Sequence, residues 1–237
     1  NDVTSGAGNT TVGADAGGNA DVAATGSNNV SIGFQAGENI QGDCGGNTFV
    51  GAAAGNSNTS GNNNTIIGYA CAGAAVGQDN GHGLGKGISC AAGYTTLGDG
   101  SDDIRAPHGN VTWATVSDKR FKEDIETSTA GLSFVNDLRP ITYHWRTKGE
   151  VPEWSKSYEE GSEEKYRNAK HHHGFVAQEV KATIDAHPEI KDGFSMWHEI
   201  EDLGGQQEVG ETALIPVLVK AVQELSQQVE DLKAKIK

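Results

Sequence analysis

A short unit that runs from an asparagine to a glycine recurs in the first hundred residues of this 237-residue chain. It reads NTTVGADAG from Asn9, NVSIGFQAG from Asn29, NTFVGAAAG from Asn47 and NTIIGYACAG from Asn64, and a frayed copy, YTTLGDG, begins at Tyr94. Each copy predicts a short β-branched strand, a glycine where two backbones approach closely, and a polar turn. Because one such unit cannot bury its own apolar face, the copies must stack.

The stacking predicts a narrow core. Val12, Ile32, Val50 and Ile67 occupy the same place in their copies, and we expect them to line that core. So few large apolar residues leave a single chain little to bury, and three chains around one axis would supply the missing partners. A flexible Gly/Asn linker is the alternative, but a linker has no reason to keep strand, glycine and asparagine in register.

The composition changes near residue 116. Residues 1–116 contain 25 of the 33 glycines, 9 acidic and 2 basic side chains, whereas residues 117–237 contain 23 acidic and 16 basic ones. Each part therefore carries −7 of the formal net charge of −14. A chain this acidic is a poor candidate for binding nucleic acid, and it has no apolar run that would insert into a membrane. We predict two domains, 1–116 and 117–237.

Three cysteines, Cys44, Cys71 and Cys90, are scattered through the first part. An odd number without regular spacing is no disulfide framework, so we expect reduced, packed thiols and assembly in a reducing cytoplasm. The chain begins with Asn1 and its only methionine is Met196, so we also expect it to be a piece of a longer protein.

The second part has the pattern of an α+β domain. Residues 110–116 (NVTWATV) predict one more strand, residues 127–138 a helix and residues 141–145 a strand. Residues 147–170 are charged and predict an exposed arm. GFVAQEVKATID, from Gly174, predicts a strand or the start of a helix.

The last segment, 213–237, predicts a helix with a heptad seam. The seam consists of Ile215, Leu218, Val222, Leu225, Val229, Leu232 and Ile236. Pro216 falls in the first turn, where its missing N–H costs nothing. An ordinary amphipathic helix is the alternative, but a strict a/d stripe favours self-association as a coiled coil. Its choice of a and d residues favours dimers, whereas the repeats favour a trimer.

Two resemblances connect these patterns to known families. The repeat resembles the head repeats of trimeric autotransporter adhesins and similar repeats of bacteriophage tail fibres, which implies a trimeric β-roll or β-prism. SDKRFKEDI, from Ser117, is similar to the S-D-x-R-x-K-x-x-I opening of the self-cleaving intramolecular chaperone domains of phage endosialidases and tail fibres. GFVAQEV at 174–180 and LIPVLVKAVQEL at 214–225 resemble later blocks of that family, although Thr212-Ala213 stands where it usually carries a tyrosine.

The second resemblance implies the chemistry of self-cleavage. Ser117 would attack the carbonyl of Val116 and Lys122 would accept its proton, so that the Val116–Ser117 bond breaks once, in cis. Asp118 and Arg120 are expected to hold the loop, with Arg120 paired to a carboxylate such as Glu179. A lysine serves as a base only if burial or nearby positive charge lowers its pKa. No cofactor and no metal are expected.

The function that follows is that of the distal part of a phage tail fibre or receptor-binding protein, with its chaperone still attached. We expect a homotrimer in the virion, assembled in the host cytoplasm, that binds a glycan or outer-membrane component of the host. The aromatic residues that would stack on sugars, or else lie in the core, are Phe34, Phe49, Tyr69 and Tyr94. The alternatives are a bacterial trimeric adhesin head and a polysaccharide-degrading tailspike; the adjacent Asp102 and Asp103 point apart, unlike a glycosidase pair.

Three consecutive histidines, His171-His172-His173, raise the possibility of a metal site. On a strand their side chains point in alternating directions, and no second cluster has ligand spacing. The sequence therefore favours a polar patch on the surface or at the trimer axis over a metal site.

Overall fold

The computed structural model describes residues 6–18, 25–73, 75–110, 112–190 and 193–236. Parts of the predicted first domain, including Asn1, lie outside the described residues. The chain divides into two compact units, Asn1–Glu123 and Asp124–Lys237. The predicted domain border at Val116–Ser117 therefore lies in the last stretch of the first unit.

The described part of the first unit is a stack of short strands. The strands are β1 (Thr10–Val12), β2 (Val30–Ile32), β3 (Thr48–Val50), β4 (Thr65–Ile67), β5 (Ala72–Gly73), β6 (His82–Lys86), β7 (Ser89–Cys90), β8 (Tyr94–Asp99) and β9 (Asp102–Pro107). One sheet has the order β1-β2-β3-β4-β6-β8-β9, in which all pairs are parallel except β8 with β9. β5 and β7 form a separate parallel pair. The arrangement is like a β-solenoid, with one coil for each sequence copy.

All five predicted copies form strands in register. Thr10 pairs with Val30, Val30 with Thr48, and Thr48 with Thr65. One further copy was not predicted from the sequence. β6 continues the sheet, with His82 opposite Thr65. Its GHGLG sequence has neither the asparagine nor the β-branched residues of the others, and only the glycine spacing marks it.

The predicted core is wrong about which strand residues are buried. Phe49 and Ile66, the middle residues of β3 and β4, are fully buried. Val12, by contrast, is 57% exposed, and Ile32 and Ile67 are each 38% exposed. The reason is the period of two in a strand: if the middle residue points inward, its two neighbours point outward. Val12, Ile32 and Ile67 therefore lie on the outer face of the sheet as an exposed aliphatic stripe, and Val50, at the same position of its copy, is half-buried.

The repeat glycines lie where adjacent coils approach, as predicted. Gly33 and Gly51 have φ values of 129° and 124°, which L side chains rarely adopt. A Cβ on Gly33 would lie 2.6 Å from the Gly51 carbonyl oxygen, and one on Gly51 2.4 Å from the Gly68 oxygen. Only glycine fits, since the obstacle in each case is backbone.

The repeat asparagines form a ladder of hydrogen bonds through the stack. The Asn47 side-chain oxygen accepts from the backbone N–H of Asn64 at 3.0 Å, and the Asn29 oxygen accepts from the N–H of Asn47 at 3.0 Å. The Asn47 side-chain amide donates to the Gly61 carbonyl at 2.9 Å. Asn47 and Asn64 are buried at 1% and 0% exposure. Asparagine is needed because it offers a donor and an acceptor at once.

The three cysteines are free and buried, in agreement with the predicted packed thiols. They belong to a thin core whose members are Ala36, Ile40, Cys44, Phe49, Ala54, Ile66, Cys71, Ile88 and Cys90. Burial raises the pKa of Cys90 to about 11 and also raises the pKa of Cys44. The thiols of Cys44 and Cys90 therefore stay protonated and act as small apolar residues.

The second unit mixes helices and hairpins. Its elements are α1 (Leu132–Asp137), β10 (Ile141–Tyr143), β11 (His172–Gly174), α2 (Ala177–Ala186), β12 (Trp197–Ile200), β13 (Gln206–Val209) and α3 (Ile215–Ile236). β10 pairs with β11 and β12 with β13, both antiparallel. All three helices contribute to one apolar cluster, which includes Phe134, Leu138, Val180, Ile184, Met196, Leu214 and Val217.

Three predicted elements are shorter than expected. The helix expected at 127–138 begins only at Leu132, because the preceding stretch is extended and its threonines lose rotamer freedom in a helix. The strand expected at 141–145 ends at Tyr143. The strand expected at 110–116 is reduced, in its described part, to a single bridge between Ala114 and Arg105, and Val111 lies outside the described residues.

The final helix, α3, packs with one face and leaves its seam exposed. Val217 and Ala221 are buried, and Glu224 accepts a hydrogen bond from the Leu132 backbone N–H at 2.8 Å. All seven seam residues are exposed, from 41% at Leu218 to 84% at Ile236. The heptad stripe is thus not used inside the unit.

Candidate active site

The stretch that contains Ser117 and Lys122 turns back on itself. Asp118 caps a single turn of 3-10 helix, Lys119–Phe121, by accepting a hydrogen bond from the Arg120 N–H at 2.9 Å. The Lys122 N–H then donates to the Lys119 carbonyl at 3.1 Å. Aspartate is a strong N-cap because its carboxylate satisfies a free N–H of the first turn. This local turn brings the side chain of residue 122 back to residue 117.

Lys122 reaches Ser117 directly. Its Nζ donates to the Ser117 Oγ at 2.8 Å, which is a full hydrogen bond. Both side chains are exposed, and Val116, on the other side of the peptide bond, is 47% exposed. A serine hydroxyl is a weak nucleophile unless a base lies within hydrogen-bond reach, and the Lys122 Nζ lies within that reach.

The charged neighbours of the turn pair locally. Arg120 lies against Asp118, with its Nη2 2.6 Å from Oδ2, and this hydrogen bonding lowers the pKa of Asp118. Within the second unit Glu179 is bound by Arg139, and the pair of Arg120 with Glu179 stays a prediction. The Arg139 guanidinium also lowers the pKa of Glu179. A partner two residues away needs little loop closure, so Arg120 takes Asp118.

The sugar-binding candidates separate into two kinds. Phe49 is buried in the core, whereas Phe34 and Tyr69 are 54% and 61% exposed, and Tyr94 is partly exposed.

Asp103, one of the two adjacent aspartates, is 6% exposed and accepts hydrogen bonds from Arg105 through both carboxylate oxygens, at 2.8 Å and 2.6 Å from Nη2. Its neighbour Asp102 is exposed, so the two carboxylates do not face a common groove.

Sequence reasoning missed a buried histidine in the second unit. The His187 side chain is 9% exposed and lies between two carboxylates, with Nδ1 2.9 Å from Glu189 and Nε2 2.8 Å from Asp137. The hydrogen bond to Glu189, followed by that to Asp137, raises the pKa of His187. Both ring nitrogens face carboxylate oxygens, which accept hydrogen bonds, so this site favours the charged imidazolium over the neutral ring. We call this group, which connects α1 to the end of α2, the His187 clamp.

Among the described residues, no three or more His, Cys, Asp or Glu side chains gather around a point that would hold a metal ion. Likewise, none of the described helices is both long and apolar enough to cross a bilayer.

Comparison with known proteins gives one family. Residues 117–187 match the family described as the chaperone of endosialidase, and the match begins at Ser117. It supports an intramolecular chaperone domain at these residues, and the family implies a self-cleaving peptidase domain. Neither the curated proteins nor the solved structures gave a significant match.

Proposed function

We propose that residues 117–237 are an intramolecular chaperone that releases itself by cutting the Val116–Ser117 bond, and that the whole chain is the distal part of a phage tail fibre or receptor-binding protein. The observation that carries the proposal is the 2.8 Å hydrogen bond between Lys122 and Ser117. It lies at the first residue of the segment that matches the chaperone family.

The position of the nucleophile determines the reaction. A neutral Lys122 amine takes the proton of the Ser117 hydroxyl, and Oγ attacks the carbonyl carbon of Val116. The C–N bond breaks, and the Lys122 ammonium returns its proton to the Ser117 amine. Since Ser117 itself follows the scissile bond, the product is an ester of Val116 on Ser117 Oγ. Water then hydrolyses this ester to a Val116 carboxylate and a free Ser117 hydroxyl.

The exposure of the site suggests when it acts. Lysine becomes a base when its surroundings disfavour the ammonium, which requires burial or nearby positive charge. In the single chain Ser117 and Lys122 are exposed, and Phe121 and Ile125, their neighbours in the sequence, are 76% and 60% exposed. Other chains of the assembled protein that cover these apolar residues would also desolvate the lysine. Cleavage therefore follows assembly.

Two exposed apolar faces support a homotrimer as the assembled form. One is the aliphatic stripe of the first unit, where Val12 and Leu84 are 57% and 54% exposed. The other is the seam of α3, where Val222 and Leu232 are 64% and 57% exposed. Monomeric proteins rarely leave such continuous apolar faces uncovered. Further copies of the chain fit both faces, and the trimeric number comes from the resemblance of the repeats.

The repeats explain the need for a chaperone. Their coils present nearly the same strand, glycine and asparagine, so chains that slip by one coil pair almost as well as aligned ones. A C-terminal clamp that associates first raises the local concentration of the stalks and aligns their ends. After cleavage has removed the chaperone, the assembled stalk persists because it unfolds slowly.

The fibre tip would bind the host. Phe34 and Tyr69 are exposed aromatic side chains two coils apart in the stack, suited to stacking on a glycan of the cell surface. In this proposal the cleaved first part belongs to the virion and is assembled in the host cytoplasm.

The test is a denaturing gel of freshly expressed full-length chain beside its variants. The unsubstituted chain should give two fragments, whereas Ser117→Ala and Lys122→Ala should each give one full-length band. Lys119→Ala is the matched control, because this lysine lies in the same exposed turn, and it should cleave normally. Two bands in the Ser117→Ala lane would rule out Ser117 as the nucleophile.

A further inference from the structure

The hairpin of β10 and β11 lies at the base of the charged arm 147–170. One of its faces is fixed by aromatic contacts. Tyr143 stacks on His172 with ring centroids 5.5 Å apart, and Trp145 lies 5.8 Å from His172. The His172 Nε2 is also 2.9 Å from the Asn168 side-chain oxygen. These contacts hold the register of the two strands and occupy the middle histidine of the triplet.

The opposite face of the hairpin brings together histidines that are far apart in sequence. Tyr143 pairs with His172, so the next position along each strand sets His144 opposite His171. Their ring centroids are 3.8 Å apart and the rings are tilted by 48°. Both side chains are exposed. The sequence does not indicate this pair, because the arm separates His144 from the triplet and only the pairing of β10 with β11 brings them together.

We propose that His144 and His171 form a two-imidazole site for a borderline divalent transition metal, of the class of Cu²⁺, Ni²⁺ and Zn²⁺. Imidazole nitrogens suit these ions and bind them at about 2.0–2.1 Å, so two nitrogens on one ion lie about 3 Å apart. The ring centroids, 3.8 Å apart, show that the two imidazoles are in contact. Both side chains are exposed, so rotation about their side-chain bonds can turn one nitrogen of each ring toward a shared ion. Water completes the coordination.

A metal at this site would tie the two ends of the arm together. His144 precedes the arm and His171 follows it, so a shared ion closes the loop between them. Cross-linking the ends of a long loop removes conformations of the open chain. Metal binding should therefore protect the arm from proteolysis without touching the Ser117–Lys122 turn. The site is independent of self-cleavage.

The site can be tested by titrating full-length Ser117→Ala protein, which stays in one piece, with Cu²⁺ and separately with Zn²⁺ by calorimetry. In that background His144→Ala and His171→Ala should each weaken binding by at least about tenfold. His198→Ala, which removes an exposed histidine elsewhere in the same unit, is the matched control and should bind as the parent does. By the general order of metal affinities, Cu²⁺ should bind more tightly than Zn²⁺.

Two further readouts separate a built site from loose surface binding. Electron paramagnetic resonance of the Cu²⁺ complex should show nitrogen ligands that disappear in His144→Ala. Trypsin cleavage after Lys156 or Lys165 should slow when metal is added to the parent and not when it is added to His171→Ala. Equal affinity in the parent, His144→Ala and His171→Ala, or an equal loss in His198→Ala, would overturn the proposal.

Discussion

Each of the two units of this chain is stabilised by a different kind of interaction. The first depends on main chain and amides: short, mostly parallel strands, glycines packed on carbonyls, and asparagines that bond from coil to coil around a thin core. The second depends on side chains, since its three helices bury one irregular apolar cluster. The difference teaches that a periodic structure can be well bonded and still lack a unique register, whereas an irregular core specifies a single arrangement.

The largest effect expected from this difference concerns the first part made alone. Without residues 117–237, the repeats have no clamp to set their register, and we expect insoluble or monomeric protein. The full chain should instead yield a heat-resistant trimer of residues 1–116 after cleavage and separation. Size-exclusion chromatography with light scattering measures both. A truncated chain that forms the same trimer unaided would remove the chaperone role and leave self-cleavage untouched.

The next largest effect tests the backbone packing of the first unit. Gly51→Ala places a Cβ 2.4 Å from the Gly68 oxygen at a φ of 124°, so overpacking and backbone strain add. We expect a loss of about 2–5 kcal/mol in the free energy of unfolding. Gly42→Ala is the matched control: its φ is 61° and nothing lies within 4 Å of the added Cβ. It should cost only about 1–2 kcal/mol. Denaturant unfolding followed by circular dichroism compares them, and equal losses would contradict the close-packing account.

The seam of α3 provides a test of association that leaves the second unit intact. Val222→Lys combined with Val229→Lys changes two side chains that are 64% and 47% exposed in the single chain. Charging two seam positions should weaken self-association by at least about 100-fold, because burial of each valine contributes about 1.5–3 kcal/mol.

Gln223→Lys with Gln228→Lys adds the same charge to the same helix outside the seam, at exposed positions. Sedimentation equilibrium of both pairs, in the Ser117→Ala background, measures the effect. If the two pairs weaken association equally, charge and not the seam is responsible.

The smallest effect concerns pH and belongs to the second unit alone. The pKa of His187 is raised in the folded chain, so its contribution to stability is complete below its unfolded pKa of about 6.5 and is lost as pH rises through the folded value. The pKa of Glu189 is lowered, so its contribution is lost as pH falls through its folded value. The clamp is therefore strongest in the pH window between about 4.5 and 6.5, the unfolded pKa values of Glu189 and His187.

Measuring the unfolding temperature against pH tests this clamp. His187→Gln should lower the midpoint by roughly 2–4 °C inside the window and by less at alkaline pH. Lys181→Gln, at an exposed Lys181–Asp185 pair of α2, should show no such pH dependence. A His187→Gln deficit that grows with rising pH would contradict the assigned direction.

The sequence predicts the periodic features of the first unit well, because each copy repeats the same physical requirement. Gly33 and Gly51 could be assigned to close backbone contacts from spacing alone. The side of the sheet that faces inward could not: a three-residue strand offers two faces, and the β-branched residues at Val12 and Ile32 lie on the one that the single chain leaves exposed. The β6 copy was missed because it keeps only its glycines.

In the second unit, sequence identifies elements but not their partners. The α3 seam and the turn from Ser117 to Lys122 depend on spacings of a few residues, which sequence shows directly. The Arg139–Glu179 pair and the His187 clamp join residues about 40 to 50 positions apart, which only the folded chain brings together. The same holds for His144 and His171 across the arm.

The most direct test of self-release is the mass of the two fragments from the unsubstituted full-length chain. The account predicts one fragment that ends at Val116 with a free carboxylate and one that begins at Ser117 with a free amine, produced without any added protease. Purified fragments should therefore give Ser-Asp-Lys-Arg as the N-terminal sequence of the second piece. A chain that stays whole after assembly, or a cut at any other bond, would contradict the assignment of Ser117 and Lys122.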